Sequence, residues 1–141
     1  MLASRPAKPE RVVPIAVLVA DDKEVILRSI RVLLNSDPEI RIVGEAASFQ
    51  QTLQRASELK PQVVVMDLHM SDDSSVGPQE IKSLLDRLGA RLIGMSFWND
   101  ENTQALAQSL GAVTLLDKMR LATELIPTIK AATSGQRSEH V

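Results

Sequence analysis

Apolar residues along the chain fall into five runs of strand length, separated by segments with helical spacing. The runs are rich in valine, isoleucine and leucine, and they are nearly continuous rather than alternating with polar residues. Continuous apolar runs of this length are typical of strands that are covered on both faces of a sheet. The five predicted strands are Ile15–Ala20, Ile40–Ala46, Val63–Asp67, Arg91–Ser96 and 113–116.

Between the strands, apolar residues recur at the spacing of one helix face. The clearest patterns are Ile26, Ile30, Leu33 and Leu34, and then Ile81, Leu84, Leu85 and Leu88. Weaker patterns begin at Phe49, Leu106 and Leu125. Strand and helix therefore alternate five times, which favours right-handed crossovers and a parallel sheet with helices on both faces. We predict one doubly wound α/β domain with a five-stranded parallel sheet and five helices.

The last predicted helix contains a proline, and both ends of the chain are polar. If Thr123 caps that helix, Pro127 falls in or just after its first turn, where it removes at most one backbone hydrogen bond. Residues 1–13 and 134–141 show no apolar period. We therefore expect a polar tail on each side of a domain that spans residues 14–133.

The composition fits one globular domain and excludes several classes of function. The chain has 141 residues, of which 44% are apolar and 24% charged, which is enough for one sizeable core. No stretch approaches the roughly 20 apolar residues of a membrane span, so we expect no membrane partner. The formal net charge of −2 provides no positive field for phosphates, and we expect no direct nucleic-acid binding. The absence of cysteine excludes thiol catalysis and is consistent with the cytoplasm.

Side chains with a charge or a hydroxyl group end four of the five predicted strands. Asp21 and Asp22 follow the first strand, Asp67 ends the third, Ser96 ends the fourth, and Lys118 follows the fifth. Parallel strands end at a common edge, and ligands of open α/β sheets bind at that edge. We therefore expect these five side chains to form one site. For Asp21 and Asp22, the alternative is that they only cap the first helix.

The predicted site has an excess of negative charge. Three carboxylates carry −3, and at about 4 Å each pair repels by roughly 1 to 4 kcal/mol, so the cluster requires cations. Lys118 supplies one positive charge, and a divalent ion supplies the other two. Oxygen ligands without histidine or cysteine side chains favour a hard ion, and we predict Mg²⁺. A carboxylate beside Mg²⁺, an ammonium group and a hydroxyl group indicates phosphoryl transfer to aspartate.

These residues resemble those of the receiver domains of two-component response regulators. The likeness covers about residues 14–132. It depends on the pair Asp21 and Asp22, the run VVVMDLHM around Asp67, Ser96 and Lys118. The spacing from Ser96 to Lys118 is similar to that of receivers that precede helix-turn-helix DNA-binding domains. The resemblance implies a flavodoxin-like sheet with the strand order 2-1-3-4-5.

The resemblance also implies a role for each site residue. Asp67 accepts a phosphoryl group from a sensor histidine kinase or a phosphotransfer protein, and Ser96 and Lys118 contact the phosphoryl oxygens. The Mg²⁺ ligands are then Asp21, Asp22, Asp67 and the backbone carbonyl group of His69. Such a chain is a phosphoacceptor that promotes its own phosphorylation and dephosphorylation, not an enzyme acting on other substrates. Its implied partner downstream is another protein or an output domain, and the resemblance also allows a homodimer.

Several positions depart from the family pattern and leave alternatives open. Leu115 stands where many receivers have the tyrosine or phenylalanine that moves on activation. Phe97 and Trp98 are larger than usual, and we expect Phe97 to restrict access by small phosphodonors. In the family, the positions of His69 and Trp98 affect hydrolysis of the acyl phosphate. The first alternative is a receiver-like interaction module with weak or lost phosphorylation. The second, an aspartate-based phosphohydrolase, is disfavoured because His69 replaces its second aspartate.

Overall fold

Five strands alternate with five helices along the chain. The computed structural model describes residues 13–71 and 75–138. The elements are β1 Ile15–Ala20, α1 Glu24–Asn35, β2 Ile40–Ala46, α2 Phe49–Leu59, β3 Val63–Asp67, α3 Pro78–Leu88, β4 Arg91–Ser96, α4 Glu101–Ser109, β5 Ala112–Asp117 and α5 Leu121–Ser138. A short 3₁₀ helix, Lys118–Arg120, joins β5 to α5. The first four strands have the predicted bounds, and β5 is one residue longer at each end than predicted.

All strand pairs are parallel, and the order across the sheet is β2-β1-β3-β4-β5. This arrangement confirms the predicted doubly wound α/β fold with its order 2-1-3-4-5. The order reverses between β1 and β3, so their carboxyl ends border the crevice in which this class of sheet binds ligands.

Each face of the sheet contributes alternate residues of the central strands to its own apolar core, because successive side chains of a strand point to opposite faces. Under α1 and α5, the buried residues include Val17, Val19, Val65, Ile93, Ile30, Leu34, Leu125 and Ile129. Under α2, α3 and α4, they include Leu18, Val64, Met66, Leu92, Ala56, Ile81, Leu85 and Leu110. Since both faces are covered, the central strands are apolar along nearly their whole length.

The start of the last helix differs from the prediction. The helix begins at Leu121, so Thr123 is its third residue and the predicted Thr123 cap is wrong. Asp117 instead caps the preceding 3₁₀ helix by accepting a 2.8 Å hydrogen bond from the N–H of Met119. Pro127 therefore lies in the second helical turn, where it is exposed. Thr123, whose carbonyl loses its helical partner to the proline, is also exposed, so water can replace the missing hydrogen bond.

The structure describes part of the predicted C-terminal tail but almost none of the predicted N-terminal tail. Residues 1–12 lie outside the described residues. At the other end, α5 continues to Ser138, which is well inside the segment 134–141 that the sequence predicts as a tail. Among the described residues, no helix combines the length and apolar character needed to cross a membrane.

Candidate functional site

The polar residues predicted to share one edge of the sheet do so. Asp67 is the last residue of β3 and is paired in register with Met95, the residue before Ser96 in β4. Ser96 is in turn paired with Asp117, the residue before Lys118. Asp21 directly follows β1, the other neighbour of β3. The parallel register therefore places these residues at the carboxyl ends of four adjacent strands, β1, β3, β4 and β5.

Lys118 connects two of the carboxylates. Its Nζ lies 2.6 Å from Oδ2 of Asp21 and 3.3 Å from Oδ1 of Asp67. The three side chains are nearly inaccessible to water, with exposed fractions of 2%, 0% and 3% for Lys118, Asp21 and Asp67. Buried charges of this kind require partners. The ammonium group is therefore placed to offset negative charge on both carboxylates.

The two oxygens of Asp67 have different surroundings. Oδ1 accepts a 3.1 Å hydrogen bond from the N–H of His69 and also faces Lys118. Oδ2 is buried and has no hydrogen-bond partner among the described residues. A buried carboxylate oxygen without a partner is costly and uncommon in folded proteins. This oxygen is therefore the atom of the site that is best placed to react or to bind a ligand.

Neither Asp21 nor Asp22 caps the first helix. The N-cap of α1 is Lys23, and no side chain makes a cap hydrogen bond there. Oδ1 of Asp21 accepts from the N–H of Lys23 at 2.9 Å, and Oδ2 of Asp22 accepts from the N–H of Ser71 at 2.8 Å. Burial raises the pKa of Asp21, and the hydrogen bond from Lys118 only partly opposes this. Burial also acts to raise the pKa of Asp22, but the Ser71 N–H and Lys23 outweigh it and lower that pKa.

The three carboxylates fit a hard divalent cation. One oxygen from each of Asp21, Asp22 and Asp67 lies within 4.8 Å of the others. With Lys118, the cluster has a net charge of −2 when all three carboxylates are ionised. The donors are all carboxylate oxygens, and such a set is suited to Mg²⁺. The position of the His69 carbonyl oxygen relative to an ion stays a prediction.

Ser96 and the two aromatic residues after it form the rim of the site. The buried Ser96 accepts a 2.9 Å hydrogen bond at Oγ from the N–H of Trp98. The ring centroid of Phe97 lies 5.2 Å from Nζ of Lys118, within range of a cation–π interaction. Phe97 and Trp98 are 45% and 58% exposed. Phe97 therefore lies beside Lys118, and Trp98 lies beside His69.

Residues of α4 that the sequence did not single out also contact this region. Oγ1 of Thr103 lies 3.3 Å from Nε2 of His69. Asp100 is the N-cap of α4 and accepts a 2.9 Å hydrogen bond from the N–H of Thr103. An aspartate three residues before a threonine is a common helix start, so the sequence gives no signal that these residues lie beside the site.

A comparison with protein families gives a match over most of the chain. Residues 17–130 match the response regulator receiver domain. The chain is 30% identical over 124 residues to the transcriptional regulatory protein LiaR of Bacillus subtilis, covering 86% of this chain and 57% of that protein. It is 29% identical to the transcriptional regulatory protein YdfI of the same organism, with coverage of 84% and 55%. The chain thus spans about half the length of these relatives.

Solved structures with the same fold include other receiver domains. The response regulator domain of Thermotoga maritima CheB has a TM-score of 0.72 at 27% identity, with 86% of this chain and 96% of that chain covered. The receiver domain of Escherichia coli RcsB has a TM-score of 0.75 at 21% identity, with coverage of 86% and 95%. The second likeness, at its lower identity, supports the fold alone.

Proposed function

Since the chain belongs to the response regulator receiver domain family of two-component systems, we propose that Asp67 accepts a phosphoryl group from a sensor histidine kinase and that this event switches the binding of a partner. The observation that carries the proposal is the environment of Asp67. It is a buried carboxylate at the end of β3, with Lys118 at 3.3 Å from one oxygen and, among the described residues, no hydrogen-bond partner for the other. Structural ion pairs normally satisfy both oxygens.

The surroundings of the two oxygens suggest how Asp67 reacts. Oδ1 is held by the N–H of His69 and by Lys118, which fixes the plane of the carboxylate. Oδ2 then attacks phosphorus, a bond forms between Oδ2 and phosphorus, and the bond from phosphorus to the donor's imidazole nitrogen breaks. The electron pair of that bond stays on the imidazole. The product is an acyl phosphate on Asp67.

Two further residues are placed to stabilise charge on the transferring group. Lys118 already contacts Asp67, and its ammonium group offsets charge on a phosphoryl oxygen once it forms. Ser96 lies at the neighbouring strand end, and its hydroxyl group is the second donor that we propose for the phosphoryl oxygens. Both side chains are buried and held by local structure, so little reorganisation is needed during transfer.

We propose that Asp21, Asp22 and Asp67, with the backbone carbonyl of His69, hold Mg²⁺. When bound, the ion neutralises charge on the phosphoryl oxygens and so lowers the barrier to transfer. The role of the protein side chains is to position these oxygens. Asp22 is fixed by the N–H of Ser71, and Asp21 by the N–H of Lys23 and by Lys118.

The proposal is tested by measuring the intact mass after incubation with Mg²⁺ and a small acyl-phosphate donor. We expect the wild-type protein to gain the mass of one phosphoryl group and the Asp67→Asn variant to gain none. Asp86→Asn is the matched control, since Asp86 is an exposed carboxylate on α3 and pairs only with Lys82 in the described structure. This control should react like the wild type.

A second variant addresses the aromatic rim. If Phe97 closes the site to small donors, the Phe97→Ala variant should react faster than the wild type with the acyl phosphate. Both proteins should still accept a phosphoryl group from a phosphorylated histidine kinase. Failure of both proteins with both donors would contradict the proposed phosphorylation and favour an interaction module that has the fold alone.

We also propose that phosphorylation is read out as a change in transcription. The relatives LiaR and YdfI are named transcriptional regulatory proteins, and the match covers 57% and 55% of their lengths. The output is then either a DNA-binding region joined to the receiver or a separate protein that binds the receiver. If phosphorylation makes the receiver bind a separate protein, the second arrangement holds. If it instead changes DNA binding by a region joined to the receiver, the first arrangement holds.

A further inference from the structure

His69 is bonded on both sides, to the phosphoacceptor and to helix α4. Its backbone N–H donates to Oδ1 of Asp67 at 3.1 Å. Its imidazole Nε2 lies 3.3 Å from Oγ1 of Thr103, in the first turn of α4. His69 thus contacts both the carboxylate of Asp67 and the first turn of α4.

Thr103 connects the imidazole to the helix cap. Its hydroxyl oxygen is within hydrogen-bond distance of Nε2 of His69, at 3.3 Å. Its backbone N–H donates to Oδ1 of Asp100 at 2.9 Å. The result is a continuous series from His69 through Thr103 to the Asp100 cap. We call this series the His69 link.

One aromatic contact supports this orientation of the exposed His69 imidazole. Trp98 lies edge-on to the His69 ring, with ring centroids 5.3 Å apart and planes at 90°. Thr103 is 1% exposed although it is a polar residue. A partnered, buried hydroxyl group at a helix start is held much more firmly than a surface residue, so motion of the imidazole is transmitted to the helix start.

We infer that the His69 link couples the conformation of the Asp67 loop, residues 68–71, to the first turn of α4. The inference deepens the proposed function, because it identifies how an event at Asp67 reaches a helix that a partner can contact. A change in the bonding of Asp67 Oδ1 moves the His69 backbone, and the side chain carries that displacement to Thr103 and Asp100. Coupling of this kind is reciprocal, so weakening the α4 end must also loosen the Asp67 loop.

The reciprocal effect is measured by amide hydrogen exchange in the ligand-free protein. Thr103→Val removes the hydroxyl group and keeps the branched shape. We expect exchange at the amides of His69 and Ser71, which bond to Asp67 and Asp22, to become about fivefold faster. Thr52→Val is the matched control: Thr52 is an equally buried threonine in the first turns of α2, bonded to the carbonyl of Ser48. This control should leave both amides unchanged.

A double variant separates coupling from general loosening. His69→Phe keeps a ring beside Trp98 and removes Nε2. If the link is real, His69→Phe combined with Thr103→Val accelerates exchange at Ser71 no more than either change alone. The inference would be overturned if the acceleration of exchange in the double variant equalled the product of the accelerations in the two single variants. It would also be overturned if exchange in Thr103→Val were unchanged.

Adding Mg²⁺ and beryllium fluoride, a phosphoryl mimic, distinguishes failure of the link from failure of the proposed function. Fluorine NMR reports binding of the mimic, and exchange at residues 101–104 reports the response of α4. We expect Thr103→Val to bind the mimic. We expect it to lose most of the change in exchange at residues 101–104 that the wild type shows. A full α4 response in this variant would overturn the inference. No binding to the wild type would contradict the proposed function, and exchange in the ligand-free protein would still decide the link.

Discussion

The ammonium group of Lys118 offsets the carboxylates of Asp21 and Asp67 where water has almost no access. The substitution Lys118→Met keeps the length of the side chain and leaves the two carboxylates without that cation. Removing one partner of a buried ion pair costs about 3 to 5 kcal/mol, so we expect the free energy of unfolding to fall by about 3 kcal/mol. Urea unfolding at neutral pH without divalent ions measures this change.

The control for this substitution is Lys23→Met. Lys23 also pairs with a site carboxylate, Asp22, but at 3.5 Å and with 54% of its side chain exposed. Exposed pairs contribute about 1 kcal/mol or less, so this variant should be nearly as stable as the wild type. Equal losses for the two variants would contradict the view that burial makes the Lys118 charge essential.

At the residue scale, the sequence identifies site residues by their position at strand ends and, for Asp67, by a conflict with its surroundings. Asp67 is conspicuous because a carboxylate after four apolar residues is costly unless it has a partner. Thr103 gives no such signal, since a threonine in a first helical turn is ordinary and its contact with His69 joins residues 34 positions apart. Side-chain contacts between loops depend on three-dimensional packing and cannot be predicted from local pattern.

Lys130 of helix α5 forms ion pairs with two residues of the turn between α1 and β2. Its Nζ lies 2.9 Å from Oδ2 of Asp37 and 3.2 Å from Oε1 of Glu39. The hydrogen bond from Lys130 lowers the pKa of Asp37, and the bonds to Asp37 and Glu39 raise the pKa of Lys130. Folded Asp37 binds a proton less tightly than unfolded Asp37. Its stabilising contribution is therefore present above about pH 4 and is lost as the pH falls through the lowered pKa.

This linkage predicts how the effect of Lys130→Met depends on pH. We expect the variant to unfold at a lower temperature than the wild type at pH 7, and the difference to shrink as the pH falls below about 4. Thermal unfolding between pH 7 and pH 3 measures it. Lys82→Met, which removes an exposed pair within α3, should have little effect at any pH. If the difference in unfolding temperature between the wild type and Lys130→Met stayed constant down to pH 3, the Asp37 pair would be ruled out as its cause.

At the element scale, apolar pattern locates the middle of a helix or strand better than its start. The strands before β5 are predicted to the residue: Asp21 directly follows β1, and Asp67 and Ser96 are the last residues of β3 and β4. The start of α5 is predicted wrongly because Asp117 caps a 3₁₀ helix that leads directly into α5, so the chain is already helical before Thr123.

At the scale of the whole molecule, alternation of strands and helices predicts a parallel sheet, but many strand orders satisfy it. The order 2-1-3-4-5 came from the family resemblance rather than from the pattern. The irregular pairing between β1 and β2 and between β4 and β5 was not predictable either. Those irregularities depend on how twisted strands meet across the sheet, which the one-dimensional pattern does not contain.

The stability of the whole domain reports on the charge of its site. Three carboxylates and Lys118 leave a net −2 when all are ionised, so an ion that binds this cluster stabilises the folded state alone. At 100 times its dissociation constant, such an ion adds about 2.7 kcal/mol. For a domain of this size we expect Mg²⁺ to raise the unfolding temperature by roughly 10 °C.

Two comparisons decide whether that rise comes from a site. In Asp67→Asn, unfolding without Mg²⁺ should occur at a higher temperature than in the wild type, because one of three mutually repelling charges is gone. The same variant should show a smaller rise with Mg²⁺, because it has lost a ligand. Sodium chloride at equal ionic strength only screens the cluster. If sodium chloride raised the unfolding temperature as much as Mg²⁺ does, the rise would come from screening of repulsion among the three carboxylates and not from a binding site.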